Sequence, residues 1–257
     1  MLRGMYSSVS AMINLEKKQS VITNNIANVN TIGFKSEKLI SKSFDEVLLS
    51  NNDNYIGGKS FSQDVGKLSL GVNIDENITN YSQGTFIESN NKTDFAINGK
   101  GFFNIRDFSG NIFYSRDGAF KVNSQGYLVT SAGHYVMGKN QSTGNEEPIY
   151  IGNSKVIIDQ KNNLLLDGDI SYSFKITDFN NYEVLNKVGE NLYYGQGGFD
   201  INQVSIKQGF KEGSNVDIIS ETSELMSNLR AFEANQKIVQ TIDSTLIKIA
   251  NEIGNVR

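Results

Sequence analysis

Few residues of this chain have the types and spacing that chemistry requires. His134 is the only histidine, and there is no cysteine. A zinc site or a catalytic triad built on His134 is therefore not expected, because no second histidine and no cysteine can join it. Asp167 and Asp169 flank Gly168, which is typical of a hairpin turn rather than of paired acid–base carboxylates. The sequence predicts no catalytic residue, no cofactor and no metal.

Glycines are abundant but do not form a phosphate-binding loop. Those at positions 99, 101, 195, 197 and 198 lack the strand–loop–helix setting that such a loop needs. The chain has 24 glycines and a single proline, which favours long helices together with hairpins whose turns contain Gly, Asn or Asp.

Composition excludes several classes of function. The 257 residues carry a net charge of −4, and no block of Lys or Arg forms a strip, so nucleic-acid binding is not expected. There is no run of about 18 apolar residues, and we expect no membrane insertion. The first residues, MLRGMYSSVSAMINLEKK, contain no apolar block of the signal-peptide type. If the protein leaves the cell, we expect a route that leaves the amino terminus attached.

The carboxyl end has the heptad pattern of a coiled coil. We predict a helix from about Ser214 to the end, capped by Ser214 or Asn215. Narrow apolar stripes of this kind require a partner helix. The seam residues are Ile218, Leu225, Phe232, Val239, Leu246 and Ile253 at steps of seven, with Ile242, Ile249 and Val256 between them.

Two asparagines also fall at seam positions of this helix, Asn228 and Asn235. Buried Asn in a coiled coil commonly fixes the register at some cost in stability. The alternative is that both side chains face solvent or a channel, and the sequence leaves the two readings open.

The amino end has a weaker stripe. We predict a helix from about residue 2 to residue 30, although Gln19 interrupts the seam. Its stripe also requires a partner, which is either the carboxyl-terminal helix or a neighbouring copy. Gly33 is then a suitable place for a positive φ where the chain leaves the helix. The predicted seam residues are Met5, Met12 and Ile26, with Val9, Ile22 and Val29 on nearly the same face.

The middle of the chain reads as β structure. Turn dipeptides such as Asn98-Gly99, Asp117-Gly118 and Gln125-Gly126 recur at short spacing between apolar runs, which predicts a compact antiparallel domain. The predicted class is α+β: a discontinuous coiled-coil-like helical domain from both termini, with an inserted, mainly antiparallel β domain. We divide the chain into residues 1–35 (helix and asparagine-rich motif), 36–82 (extended linker), 83–213 (β-rich domain) and 214–257 (a helix that pairs with residues 1–35).

Several segments resemble the bacterial flagellar basal-body rod and hook proteins. Residues 24–35 read NNIANVNTIGFK, residues 93–103 read TDFAINGKGFF, residues 114–120 read YSRDGAF, and residues 231–237 read AFEANQK. The opening MLRGMYSSVSAM and residues 126–130, GYLVT, are similar to the same family. The resemblance covers both termini and residues 83–138, and the combination is highly specific.

The resemblance implies a building block of the flagellar axial structure, located in the basal body beyond the inner membrane. It implies export by the flagellar type III apparatus, helical polymerisation with copies of itself, and contacts with other rod and hook proteins. In this family the terminal helices form the inner tube and the β domain lies outside. Length and pattern favour a distal-rod protein, although residues 41–60 do not clearly match the insertion that some distal-rod proteins carry.

Three other functions are alternatives to a rod subunit. A hook subunit is the alternative within the same family. A binding module, such as an adhesin-like sheet domain on a coiled-coil stalk, would have helices that are ordered in dilute solution. A hydrolase using loop carboxylates would require two convergent acids in a cleft, of which the sequence gives no sign.

The candidate site residues are therefore residues of assembly. In the asparagine block, polar side chains can bond backbone groups where the helix stops, and the alternative is a simple polar helix end. Phe44 and Leu48 resemble a short recognition motif for the export gate, or are two core residues one helical turn apart. The assembly candidates are Asn24, Asn25, Ile26, Asn28, Asn30, Gly33, Phe34, Leu225, Phe232, Asn235, Val239, Ile242, Leu246, Ile249 and Ile253.

Overall fold

A computed structural model of the chain describes residues 2–56, 59–152, 154–159, 162–201 and 204–254. Within these ranges a long helix lies near each end of the chain, and the strands between them pair only in antiparallel fashion. The predicted α+β class is confirmed. Neither helix, as far as the chain is described, is long and apolar enough to cross a membrane.

The chain folds into two compact units, each containing separate stretches of sequence. The first, called here the helical unit, comprises Met1–Ile26, Glu37–Thr79 and Ile218–Arg257; the second, the β unit, comprises Ala27–Ser36 and Asn80–Asp217.

The described part of the helical unit contains two helices and four strands. Its elements are α1 (Leu2–Ala27), β1 (Glu37–Ser43), β2 (Val47–Ile56), β3 (Lys59–Leu68), β4 (Val72–Thr79) and α2 (Ile218–Gly254). Strand β1 pairs with β4 through a register shift at Ile40/Ser41, and β2 pairs with β3. The segment 36–82, expected to be an extended linker, is thus extended but paired into two ladders.

Helix α1 ends earlier than the sequence predicted, and α2 begins later. Helix α1 ends at Ala27 rather than near Asn30, and α2 begins at Ile218 rather than near Ser214. The predicted cap at Ser214 or Asn215 is wrong for a physical reason. The Asn215 side chain already accepts a hydrogen bond from Ser36 N at 2.7 Å and donates one to Asn80 O at 2.7 Å.

The β unit is built around one large sheet. Along its main path the strand order is β13-β14-β15-β11-β7-β8-β18-β17, and β9, β10, β12, β16 and β19 join it from the sides. Strand β6 pairs with β20, and β5 pairs with β21, outside this sheet.

The bounds of these elements are as follows. The strands of the first half are β5 (Phe86–Glu88), β6 (Phe95–Asn98), β7 (Phe102–Arg106), β8 (Ile112–Ser115), β9 (Lys121–Val122), β10 (Leu128–Val129), β11 (Tyr135–Asn140) and β12 (Glu146–Pro148). Those of the second half are β13 (Val156–Ile158), β14 (Asn163–Leu166), β15 (Asp169–Phe174), β16 (Ile176–Asp178), β17 (Asn186–Gly189), β18 (Leu192–Tyr194), β19 (Phe199–Asp200), β20 (Ser205–Gln208) and β21 (Phe210–Glu212). A short 3-10 helix occupies Tyr182–Val184.

Strand β7 is buried on both of its faces. Successive side chains of a strand point to opposite sides, so Phe103 enters a core with Phe95, Phe120 and Phe174, while Phe102 enters a second cluster. Ring centroids in the first cluster lie 4.9–6.4 Å apart, the spacing of favourable aromatic pairs. The second cluster contains Phe179, Leu185 and Tyr193, with Tyr81, Tyr114 and Tyr182 packed against it.

Candidate assembly surfaces

The two helices of the helical unit pack against each other in antiparallel orientation. Partners on α2 have decreasing residue numbers as those on α1 increase. The contacts are Gly4 with Ile242 (3.8 Å from an ideal Cβ), Leu15 O with Asn228 Nδ2 (2.8 Å), Lys18 Nζ with Glu224 Oε1 (2.7 Å) and Asn25 Nδ2 with Glu221 Oε1 (3.2 Å).

The predicted seam of α2 is only half covered. Among the described side chains, each of the predicted apolar seam residues from Leu225 onward is half-buried, and none is fully buried; these are Leu225, Phe232, Val239, Ile242, Leu246 and Ile249. The side chain of Ile253 and the whole of Val256 lie outside the described residues. One partner helix therefore leaves part of this stripe exposed.

The seam of α1 matches the predicted one only in part. Its contacts with α2 fall at residues 4, 18 and 25, which belong to one series of seven-residue steps, and at residue 15, which belongs to the series through Ser8 and Ile22. Ser8 and the predicted Ile22 are both buried. Met5 and Met12 are half-buried, but Val9 is 40% exposed. The structure therefore buries the predicted Ile22 but exposes the predicted Val9. Most other buried positions of α1 are small or polar, namely Ser8, Asn14 and Asn25, and a search for apolar residues does not find them.

Asn228 and Asn235 have different partners. The Asn228 amide is buried and donates across the helix pair to Leu15 O at 2.8 Å. The Asn235 amide is half-buried and donates to Ala231 O of its own helix at 2.9 Å. Only the first contact joins the two helices, so a role in register has geometric support at Asn228.

Both helices carry apolar side chains that do not face their partner. Tyr6, Val9 and Ile13, at spacings of three and four, are 65%, 40% and 55% exposed. On α2, Ile219 and Met226 lie seven residues apart and are 74% and 62% exposed. Apolar surface of this kind on consecutive turns marks an interaction site more often than isolated exposed residues do.

Within the asparagine block, Asn25 fastens three elements of the helical unit. Its side chain is 1% exposed, donates to Glu37 O at 2.8 Å and accepts from Glu37 N at 3.0 Å. It also donates to Glu221 Oε1 of α2 at 3.2 Å. A single amide thus mimics a backbone pairing at the start of β1 while touching both helices.

The other residues of the block lie around the end of α1. Asn28 forms a turn, in which its backbone O and side-chain Oδ1 accept from Thr31 N and Oγ1, both at 3.1 Å. Asn24 and Asn30 are exposed, and Ile26 is half-buried.

Gly33 has the predicted positive φ, at 69°. Its N–H donates to Glu212 O at 2.8 Å, and an added Cβ would lie 2.5 Å from Asp117 N. Both the conformation and the space therefore require glycine. The next residue, Phe34, is buried, with Lys187 Nζ 4.1 Å from the centre of its ring.

A buried ion network in the β unit joins the segment after α1 to the segment before α2. Lys35 Nζ lies 2.6 Å from Glu212 Oε1 and 2.7 Å from Ser82 O, and Arg116 Nη1 lies 3.3 Å from Glu212 Oε2. Gly84 N also donates to the Glu212 carboxylate, at 3.0 Å. Burial lowers the pKa of Lys35 below its ordinary 10.5, and the Glu212 carboxylate opposes that shift.

Sequence reasoning missed this network. Lys35 and Glu212 are 177 residues apart, and nothing local marks them as partners. The available signal was that Lys35 and Arg116 both lie in segments that carry the family resemblance.

Phe44 and Leu48 do not share a helical turn. Phe44 lies in the connection between β1 and β2, Leu48 lies in β2, and they are 42% and 56% exposed. The interpretation as two core residues is therefore wrong, and the export-gate interpretation stays a prediction.

The residues considered above for catalysis or metal binding, His134, Asp167 and Gly168, belong to the β unit. His134 Nδ1 is 3.0 Å from Asp107 Oδ1, and its Nε2 is 3.7 Å from Glu190 Oε2. Asp167 and Gly168 form the predicted turn between β14 and β15, with φ of 52° and 105°. Within the described part of the chain, no group of three or more His, Cys, Asp or Glu could hold a metal ion.

Comparison with known proteins gives matches along most of the chain. Three family profiles match: "Flagella basal body rod protein" over residues 5–35, "Flagellar hook protein FlgE/F/G D1 domain" over 96–172, and "Flagellar basal body rod FlgEFG protein C-terminal" over 207–252.

Curated relatives match over nearly their full length. The chain is 34% identical to the flagellar basal-body rod protein FlgG of Bacillus subtilis, covering 98% of this chain and 99% of the relative. It is 31% identical to FlgG of Borreliella burgdorferi, again over 98% and 99%. It is 29% identical to the flagellar hook-basal body complex protein FlhO of Bacillus subtilis, over 100% of both chains.

Proposed function

The chain belongs to the flagellar basal-body rod and hook protein family, and we propose that it is a structural subunit of the rod that polymerises helically with copies of itself. It is a component of the flagellar basal body and assembles there with other rod and hook proteins. The observation that carries the proposed polymerisation is the incomplete burial of the helical unit, whose seam is half-covered and whose outer faces expose Tyr6, Ile13, Ile219 and Met226.

The physical argument concerns what a two-helix layer can bury. Most helix stability in proteins comes from the packing of an apolar face, and a single partner covers this face only in part. Additional helices from neighbouring copies would remove the remaining apolar area from water, at about 25 cal/mol per Å². A head-to-tail contact that does not close produces a helical filament, in which packed terminal helices would form the inner tube and transmit torque.

The ribbon formed by β2 and β3 supports additional contacts between copies. It pairs with no other described strand, and Val47, Leu48 and Val65 on it are 48%, 56% and 67% exposed. A two-stranded ribbon alone is marginally stable in water. We place this ribbon against a neighbouring copy in the rod. The rod is preferred to the hook because the FlgG relatives are named as basal-body rod proteins.

The proposed role is mechanical and includes no catalytic step. We also propose export through the flagellar type III apparatus, with Phe44 and Leu48 contacting the export gate. The double variant Phe44→Ala/Leu48→Ala should reduce secretion into the periplasm or medium, whereas Val65→Ala, on the neighbouring strand, should not. Equal secretion of both variants would remove the export role of Phe44 and Leu48.

The experiment that tests polymerisation places charge on the outer face of α1. The double variant Tyr6→Glu/Ile13→Glu should keep the far-ultraviolet circular dichroism of the wild type but fail to restore swimming in a strain that lacks the gene. Thr23→Glu is the matched control, because Thr23 is exposed but lies about 2.8 turns after Ile13, on another side of the helix; it should restore swimming. Normal basal bodies containing the double variant would overturn the proposed packing.

A further inference from the structure

The β unit contains a cleft in which tyrosine is concentrated. Four of the chain's 11 tyrosines line one open cleft of about 440 Å³ together with Gln125, Glu147 and Pro148. A second cleft of about 400 Å³ shares Tyr135 and Pro148 with it and adds Arg106 and Phe108. Both volumes fall within the range of roughly 300–1,000 Å³ that is typical of ligand sites. The four tyrosines are Tyr127, Tyr135, Tyr150 and Tyr172.

Tyr150 is held as a rigid platform. It is 48% exposed, and one edge of its ring abuts Gly126, where an added Cβ would lie 2.8 Å from Tyr150 Cε2. The backbone on either side is fixed, because Leu128 N donates to Ile149 O at 2.9 Å and Ile151 N donates to Gly126 O at 2.8 Å. A ring ordered before binding loses little entropy when a ligand stacks on it.

The neighbouring rings form the walls of the cleft. Tyr127 meets Tyr150 at a centroid distance of 5.3 Å and an interplanar angle of 73°, and it meets Tyr135 at 5.6 Å and 86°. Edge-to-face contacts of this kind are favourable, so the three rings support one another.

Polar groups surround the rings. The Glu147 carboxylate interacts with the Tyr172 hydroxyl and accepts a hydrogen bond from the Asn140 amide, which leaves acceptor positions available. Gln125 is exposed and lies at the rim. Amide, carboxylate and phenol groups around a ring face provide both donors and acceptors within one small site.

We propose that this cleft binds an oligosaccharide chain. The apolar face of a pyranose ring presents C–H groups with slight positive charge, which pack on the negative face of an aromatic ring such as Tyr150. The sugar hydroxyls would pair with Gln125, Glu147 and the phenol groups. The second cleft continues the site past Tyr135 to Phe108, so the ligand class is a chain of several sugars rather than a single one. A proline-containing peptide could also use aromatic rings, but it would leave this density of polar groups without partners.

The test is titration of the full-length protein, kept monomeric, with triacetylchitotriose, cellotriose and a proline-rich peptide. The chain has no tryptophan, so a change in intrinsic tyrosine fluorescence reports binding, and calorimetry gives the affinity. We expect saturable binding of at least one trisaccharide, weakened about tenfold by Tyr150→Ala and much less by Tyr150→Phe, which keeps the ring.

Tyr194→Ala is the matched control, because Tyr194 is similarly exposed, at 44%, and lies outside both clefts. Circular dichroism of each variant establishes that it is folded. The inference is overturned if neither trisaccharide binds, if Tyr150→Ala binds as the wild type does, or if only the peptide binds. These outcomes are independent of the proposed polymerisation, which is read from rod assembly and not from sugar titration.

Discussion

The helical unit and the β unit bury different kinds of side chain. In the β unit, phenylalanines from several strands are completely buried, among them Phe95 and Phe103. In the described parts of α1 and α2, Ile22 is the only fully buried apolar side chain, while Ser8, Asn14, Asn25 and Asn228 are buried polar ones. The β unit thus has a core of its own, whereas the helices leave much of their apolar surface exposed to solvent. This contrast is the expected design of a subunit that carries a stable domain and completes its helices in an assembly.

The largest expected effect is in the buried ion network of the β unit. Glu212→Gln would leave Lys35 and Arg116 as buried cations without an anion, and breaking such a network typically costs about 3–5 kcal/mol. Urea unfolding followed by tyrosine fluorescence should show this loss. Glu88→Gln is the control, because Glu88 is exposed on the paired strand β5 and should change stability by less than about 0.5 kcal/mol. Equal effects in the two variants would show that the network contributes nothing specific.

The next effect concerns Gly33. In Gly33→Ala the added Cβ would lie 2.5 Å from Asp117 N, and alanine is also strained at a φ of 69°. Together these two effects should lower the free energy of unfolding by about 2–4 kcal/mol. Gly144→Ala separates the two contributions, because Gly144 has nearly the same φ, 71°, with no atom within 4 Å. That control should lose only about 1 kcal/mol. If both variants lose the same amount in urea unfolding, the close approach to Asp117 is not a constraint.

A smaller effect is expected in the helical unit. Asn228→Ala removes the hydrogen bond to Leu15 O and leaves a buried carbonyl without that donor, at a cost of about 1–2 kcal/mol. Asn235→Ala removes only a bond within its own helix and should cost less. The measurement is thermal loss of helix by circular dichroism, with rod assembly followed in parallel. If Asn235→Ala lowers the melting temperature of the helices or impairs rod assembly more than Asn228→Ala does, the register contact lies at Asn235 instead.

The sequence predicted features that depend on neighbours along the chain. The positive φ of Gly33, the turn at Asp167 and Gly168, and the half-buried α2 stripe all follow from local residue types. Features that depend on distant partners were missed. The buried positions of α1 other than Ile22 are Ser8, Asn14 and Asn25; Asn14 and Asn25 bond β1, and Asn25 also bonds α2. Asn215 caps no helix because it bonds the segment at Ser36 and Asn80.

The candidate site was predictable in part for the same reason. The asparagine block was identified from its resemblance to the rod and hook family. Asn25 bonds backbone groups of Glu37, as expected of an asparagine near the end of a helix. The outward face at Tyr6 and Ile13 was not predicted, because its apolar spacing overlaps the stripe that had been assigned to the helix partner. Periodicity identifies an apolar face but not the element that covers it.

The smallest expected effect is the pH dependence of Asp117, which lies beside Gly33 in the β unit. Burial raises the pKa of Asp117 above its ordinary 3.8, although the hydrogen bond from Ala119 N acts in the other direction. The folded protein therefore holds this proton at a pH where the unfolded chain has released it. The contribution of Asp117 to the free energy of unfolding is fully present below its pKa in the unfolded chain, and it is lost as the pH rises through its pKa in the folded protein.

The variant Asp117→Asn tests this pH dependence. It keeps an oxygen that can accept a hydrogen bond from Ala119 N and removes the buried charge. We expect its free energy of unfolding to increase relative to that of the wild type as the pH is raised from acid to neutral, measured by urea unfolding at each pH. A stability difference between Asp117→Asn and the wild type that does not change with pH would show that burial does not control this carboxyl group.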